Sequence, residues 1–227
     1  LDDDMGFSDI GSFGSEIQTP NLDELAENGM RMTQFYSAAR CCPSRASLLT
    51  GLHPHQAGMG LMADQEITLP SYQGYIGDNC VTIAQVLNQV GYDTYTSGKW
   101  HVGDEEKNWP RKHGFDHCFS FIHGASSYFS NRSYRNSEWP WSSGELFTVL
   151  DDEKYEYPDS NVYATDLYTD YALEFMNSSL EEDNPFFLYL AYTAPHWPLH
   201  ALPADIAKYE GFYDIGWDSL RSLRYAR

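Results

Sequence analysis

Basic residues are scarce in this chain. Lys and Arg together number 14 against 33 Asp and Glu, for a formal charge of −19 over 227 residues. Such a surface repels phosphate backbones, which excludes a nucleic-acid partner. Cysteine is also sparse. Cys41, Cys42, Cys80 and Cys118 show no CxxC pairing and no zinc-ligand spacing. That count is too low for a disulfide scaffold, so it leaves the compartment open. No apolar run reaches the length of a membrane span, so no transmembrane segment is predicted. A start methionine and a signal peptide are missing too. The chain opens on Leu1-Asp2-Asp3-Asp4, which reads as the end of an element whose start is missing. Any targeting sequence would have gone with it, and periplasmic, secreted and cytoplasmic locations all stay open.

What is present suits a packed α/β domain. Hydrophobic residues make up 42% and aromatics 15% of the chain, enough for a real core. Pro20 marks a helix start after Thr19, with Leu22, Leu25 and Ala26 on one face and Gly29 as the stop. A second helix is predicted over 82–90, where Ile83, Val86, Leu87 and Val90 follow helical spacing and Gly91 closes the run. Residues 92–96 alternate as a strand. A third helix fits 164–176, with Ala164, Leu167, Tyr171 and Phe175 as its stripe. The run Phe186–Tyr192 reads as a buried strand. Helices alternating with apolar strands predict a mainly parallel sheet, with ligands gathered beyond the carboxyl ends of its strands. Asp2 to Asp4, Lys99, His101 and His196 all fall at such ends. The polar, aromatic stretch 120–159 reads as a long excursion over the sheet. Sequons begin at Asn131 and Asn177.

One segment carries chemistry. Cys41-Cys42-Pro43-Ser44-Arg45-Ala46-Ser47-Leu48-Leu49-Thr50-Gly51 resembles the sulfatase signature C-x-P-S-R-x-x-x-L-T-G. Chance agreement at the fixed positions is on the order of one in a billion starts. In that family the first Cys becomes formylglycine, so the resemblance gives Cys41 this role and puts Cys42 at the variable position. The physical reading is compatible. Pro43 lies where a helix can begin, which places residue 41 at a helix amino end that favours an anion. Arg45 suits charge-assisted bonds to sulfate oxygens. Leu48 and Leu49 should anchor the helix and Gly51 should end it.

Further segments agree in order and spacing. Asp3-Asp4-Met5-Gly6-Phe7-Ser8-Asp9-Ile10-Gly11 resembles the family's D-D-x-G-x-x-D-x-G opening, which implies that Asp3 and Asp4 bind Ca²⁺; carboxylate oxygens suit that hard ion. Thr19-Pro20-Asn21-Leu22-Asp23 matches T-P-N-L-D, with a structural role near the site. Gly98-Lys99-Trp100-His101-Val102-Gly103 resembles G-K-W-H-[LV]-G, where the Lys binds sulfate and the His takes a proton during release. In an extended segment Lys99 and His101 would share one side and Trp100 the other. Ala194-Pro195-His196-Trp197-Pro198-Leu199 resembles A-P-H-x-P, whose His bonds the bridging oxygen of the ester. His53 and His55 fit a pocket rim or plain surface equally. His113, His117, His123 and His200 have no motif support. Trp109, Trp139, Trp141 and Trp197 read first as core and second as an aromatic wall.

The resemblance covers residues 1 to about 213 and implies the α/β/α sandwich of the alkaline-phosphatase-like superfamily, here incomplete. It implies hydrolysis of sulfate monoesters, a small-molecule or carbohydrate sulfate ester as substrate, and a formylglycine-generating maturation enzyme as partner. The whole of 1–227 reads as part of the family's N-terminal catalytic domain. The family's D-N-G motif and second Lys do not occur, so an internal fragment, poorly active alone, is expected. A formylglycine-dependent phosphonate monoester or phosphodiester hydrolase is the alternative activity. A non-catalytic fragment is the alternative from another class.

Overall fold

The computed structural model describes residues 1–63, 67–130, 146–158 and 162–226. The sequon at Asn131 and both Trp139 and Trp141 lie outside the described residues. The chain divides into two units, one of residues 1–3 and 37–199, the other of 4–36 and 200–227.

The larger unit is built on a sheet of β1 (Asp93–Lys99), β2 (His117–Phe121), β3 (Thr148–Leu150), β4 (Glu153–Tyr155) and β5 (Phe186–Ala191), in the order β4-β3-β2-β1-β5. β1 pairs in parallel with β2 and β5, whereas β3 and β4 add on as antiparallel strands. The sheet is therefore mixed, parallel through β2, β1 and β5 with an antiparallel edge. Part of the predicted excursion supplies two of its strands, because Thr148–Leu150 and Glu153–Tyr155 close a tight hairpin around Asp151, held at φ 56°. Beyond β5, Leu1 takes a bond from Tyr192 N–H (2.9 Å) and gives one to Leu190 C=O (2.9 Å), in strand-like fashion.

Side-chain alternation divides the strands between two cores. Tyr95, Phe119 and Phe121 face the helix Ala164–Glu182, while Cys118, Tyr189 and Ala191 face the opposite side. Helix α1 (Pro20–Glu27) belongs to the smaller unit. In the larger unit, α2 (Cys41–Thr50) and α3 (Ile83–Asn88) contribute to the second core, and α4 (Ala164–Glu182) to the first. Helices thus cover both faces, giving the expected α/β/α layering. Thr82 starts α3 through a reciprocal capping box with Gln85. Helix α4 runs further than predicted and its buried stripe is Ala164, Tyr168, Ala172, Phe175 and Ser179. Tyr168 rather than Leu167 sits at its centre. No helix among the described residues is long and apolar enough to cross a membrane.

The smaller unit contains α1, α5 (Pro203–Ala207) and α6 (Trp217–Ala226). Pro20 does open α1, but Leu25 is exposed and no α1 residue is buried, so the predicted apolar face is not a core face. The T-P-N-L-D segment works through its polar ends. Thr19 Oγ1 accepts from Gly11 N–H (2.8 Å), and Asp23 Oδ1 accepts from Ser12 N–H (2.6 Å) and Thr19 O–H (3.0 Å). A Cβ on Gly11 would stand 2.4 Å from Asp23 Oδ2, which accounts for glycine there. Arg224 of α6 forks onto Glu16, with both bonds at 2.7 Å, and reaches Asp9 at 3.0 Å.

Candidate active site

Helix α2 begins at Cys41, with extended Arg40 as its N-cap. No side chain caps this end and no acidic residue lies in the first turn, so the first-turn N–H groups and the dipole favour an anion at residue 41. Cys42, Ala46 and Leu49 bury the helix at a spacing of four and three residues. Leu48 is exposed, contrary to expectation, because it falls about a quarter-turn away from that stripe. Gly51 ends the helix at φ 71°, a left-handed position that suits glycine.

The end of β1 brings Lys99 and His101 to the same place. Gly98 (φ 112°) is where β1 and β5 approach, and a Cβ there would lie 1.9 Å from Ala191 C=O. No other residue fits. Trp100 turns into the core against His113 and Phe115. His101 leaves the extended conformation, at φ 55°, a strained state that surrounding contacts must hold. Gly124, just past β2, provides room for it: a Cβ there would be 2.6 Å from His101 Cε1.

Four charged or titratable side chains are sealed here. Lys99 is 0%, Arg45 2%, Asp3 4% and His101 6% exposed. Lys99 Nζ donates to Asp3 Oδ2, and Arg45 Nη2 lies 3.4 Å from Asp3 Oδ1. Arg45 Nη1 donates to Lys99 C=O (2.6 Å) and to Tyr189 Oη (3.5 Å). Asp3 is anchored in turn by its own N–H, which bonds Ala194 C=O at 3.0 Å. Two polar atoms, Arg45 Nε and His101 Nδ1, are buried without a hydrogen-bond partner among the described residues. Buried polar groups left unsatisfied in this way are uncommon.

Cys41 is half-buried beside this cluster, and its Sγ, the Cys42 Sγ and a ring nitrogen of His101 lie within 4.8 Å of one another. The Cys42 thiol, donating to Cys41, holds the Cys41 thiol well below its ordinary range, with His101 adding a bond and Lys99 a positive field. Burial, reinforced by the neighbouring sulfur, pushes Cys42 up. Burial and the charge of Lys99 push His101 down, toward neutral imidazole. The site thus stabilises negative charge at residue 41 and keeps a base beside it.

Five residues singled out in the sequence therefore meet: Asp3, Cys41, Arg45, Lys99 and His101. His196 lies in the same unit, in the loop after β5, half-buried. Its C=O accepts from Tyr128 O–H (2.6 Å) and its Nδ1 is 2.5 Å from Trp197 C=O. Asp4 belongs to the smaller unit and adopts φ 67°. His53 and His55 are exposed and stack on each other at 5.1 Å. His113 and Trp109 are core, His117 pairs with Asp151 on the surface, and Trp197 is exposed. Sequence reading missed Tyr189, which lay inside an apolar strand, and Gly124, whose only signal was its place just beyond a parallel strand. It also gave Cys42 no role.

Comparison with known proteins finds relatives along nearly the whole chain. The sulfatase family model matches residues 1–226. The arylsulfatase of Klebsiella aerogenes is 38% identical over 99% of this chain, and an uncharacterised sulfatase of Schizosaccharomyces pombe is 36% identical over 98%. The chain spans 48% and 41% of those two proteins. Among solved structures, Ps i-CgsB in complex with k-i-k-neocarrahexaose superposes with a TM-score of 0.78 at 30% identity, covering 93% of this chain and 47% of that one. Sulfatases as a family use formylglycine and a metal ion. The chain belongs to the sulfatase family.

Proposed function

We propose that the protein carrying this chain hydrolyses sulfate monoesters, R–O–SO₃⁻ plus water giving R–OH and sulfate, at a formylglycine made from Cys41. The observation that carries this reading is the convergence of Arg45, Lys99 and His101 on the amino end of α2, where residue 41 stands. Formylglycine supplies a hydrated aldehyde, with one hydroxyl for attack on sulfur and a second whose deprotonation expels sulfate. The pocket suits an oxygen-rich anion at that position: it already favours negative charge on residue 41 and has two unpartnered buried nitrogens.

The chain's own residues divide the remaining work. Arg45 holds the position-41 side chain and a sulfate oxygen by charge-assisted bonds, its planar fork fixed by Lys99 C=O and Tyr189. Lys99 neutralises a sulfate oxygen in a site without water screening, where a charge acts strongly. His101, held neutral, takes the proton from residue 41 when sulfate leaves. His196 donates to the bridging oxygen as the alcohol departs. The alcohol is aryl or carbohydrate, a range supported by similarity to an arylsulfatase and to a structure solved with k-i-k-neocarrahexaose.

Asp3 and Asp4 are proposed as the carboxylates this stretch brings to a cation, calcium by their hardness as donors. Asp3 has spare lone pairs but is already committed to Lys99 and Arg45. Calcium takes about six to eight oxygens, and the described residues around Asp3 do not supply that set.

The test compares release of an aryl alcohol from an aryl sulfate and an aryl phosphonate by the whole protein carrying this chain, coexpressed with a maturation enzyme. Sulfate turnover that Lys99→Ala and His101→Ala each cut by about 10²-fold or more supports the assignment. Preferred phosphonate turnover, or sulfate turnover indifferent to both substitutions, overturns it.

A further inference from the structure

The proposed chemistry leaves one buried group at the site unused. Cys42 stands at the variable position of the signature, yet its side chain is fully buried against the reacting residue. Its Sγ, the Cys41 Sγ and a His101 ring nitrogen lie within 4.8 Å of one another. A tetrahedral zinc ion bound by two thiolates and an imidazole needs S···S and S···N separations of about 3.5–3.8 Å, so rotamer adjustment of about 1 Å suffices. Met62 Sδ stands 3.8 Å from Cys42 Sγ, adding a soft atom to the wall, and Ala63 N–H donates to that sulfur at 3.4 Å. Such a second-shell bond orients a thiolate ligand. Independently of the sulfurs, buried His101 Nδ1 has no hydrogen-bond partner among the described residues.

We propose that the unconverted chain binds a thiophilic divalent cation, zinc by its donor set, through Cys41, Cys42 and His101. The balance is simple. Each coordinating thiol still protonated releases its proton, the cation accepts three lone pairs, and no oxidant or reductant takes part. Cys41 is the half-buried member of the three, so the ion enters from its side and keeps its fourth position toward solvent. This site is distinct in kind from the proposed calcium site, which uses hard oxygens. It exists only before maturation, because conversion of Cys41 removes one of its three ligands. Conversely, a zinc-held thiolate is withheld from oxidation, so zinc occupancy and conversion exclude each other.

The proposal does not rest on the sulfatase reading, since a chain that is never converted still presents the same donors. The test uses the chain expressed without a maturation enzyme, purified reduced and metal-free. Zinc is titrated in competition with a chromophoric chelator, and cobalt(II) is titrated to read thiolate-to-metal charge transfer. One zinc per chain is expected, with the cobalt band present. Cys42→Ser and Cys41→Ser should each weaken zinc binding by about 100-fold or more, while Cys80→Ser leaves it unchanged. Alkylation of Cys41 by iodoacetamide in the wild-type chain, read by peptide mass, gives an answer even where a variant fails to fold: zinc should protect it. Absence of zinc binding by the folded wild-type chain, undiminished binding by Cys42→Ser, or unprotected Cys41 overturns the proposal. Aryl sulfate turnover decides the sulfatase reading separately.

Discussion

Removing the Asp3 carboxylate should be the most damaging polar substitution in the larger unit. Asp3 is the carboxylate shared by Lys99 and Arg45, which are 0% and 2% exposed. Asp3→Ala leaves Lys99 buried without its acceptor and Arg45 with only Lys99 C=O and Tyr189. Breaking a buried pair by deleting one partner costs about 3–5 kcal/mol, because the remaining charge stays desolvated. That is a large share of a domain's roughly 5–15 kcal/mol. The backbone bond from Asp3 N–H to Ala194 C=O survives the substitution, so the loss reports on the carboxylate. Urea unfolding followed by tryptophan fluorescence gives the assay, since Trp100 is fully buried in the same unit. In a Lys99→Met background one stranded charge is gone, and Asp3→Ala should then cost about 2 kcal/mol less. A single-mutant loss below about 1 kcal/mol, or equal losses in both backgrounds, would refute the idea that this triad behaves as a sealed, mutually dependent charge cluster.

Other consequences follow from single residues. Gly98→Ala places a Cβ 1.9 Å from Ala191 C=O at φ 112° and should cost more than about 3 kcal/mol, read by the same unfolding curve. His113 is buried against Trp100, and burial pushes it from 6.5 down to about 4. Its unfolded form binds the proton first, so stability is full above the ordinary pKa and falls as pH drops from about 6.5 to about 4, by at most about 3 kcal/mol. His113→Phe should flatten that part of the pH profile; an unchanged slope contradicts the assignment. Calcium titrated into this chain alone should bind weakly, at millimolar affinity or worse, and calorimetry showing micromolar binding would require oxygen ligands beyond Asp3 and Asp4.

Much of the site was legible because its chemistry demands fixed residue types at fixed spacing. Cys41, Arg45, Lys99 and His101 were readable for that reason, and Gly51 because a helix must end. The glycine of G-K-W-H was readable as a motif but not as a cause; its reason is Ala191 C=O, more than ninety residues on. Tyr189 hid in a run of apolar residues, where a strand and a hydrogen-bonding wall look alike. The Lys99–Asp3 contact depends on pairing between β5 and Leu1–Asp3, which local patterns do not encode. Period reading put Leu167 and Tyr171 at the α4 interface, but Tyr168 reaches deeper, against Phe119. The short strands β3 and β4 escaped because three residues carry no detectable alternation.

The central claim concerns residue 41, and one mass measurement addresses it. After coexpression of the whole protein carrying this chain with a formylglycine-generating enzyme, the peptide containing Cys41 should weigh about 18 Da less than the encoded sequence, in step with the appearance of aryl sulfate turnover. A peptide that keeps its full thiol mass while the protein turns over sulfate esters, or one that is converted in a protein without turnover, would contradict the account.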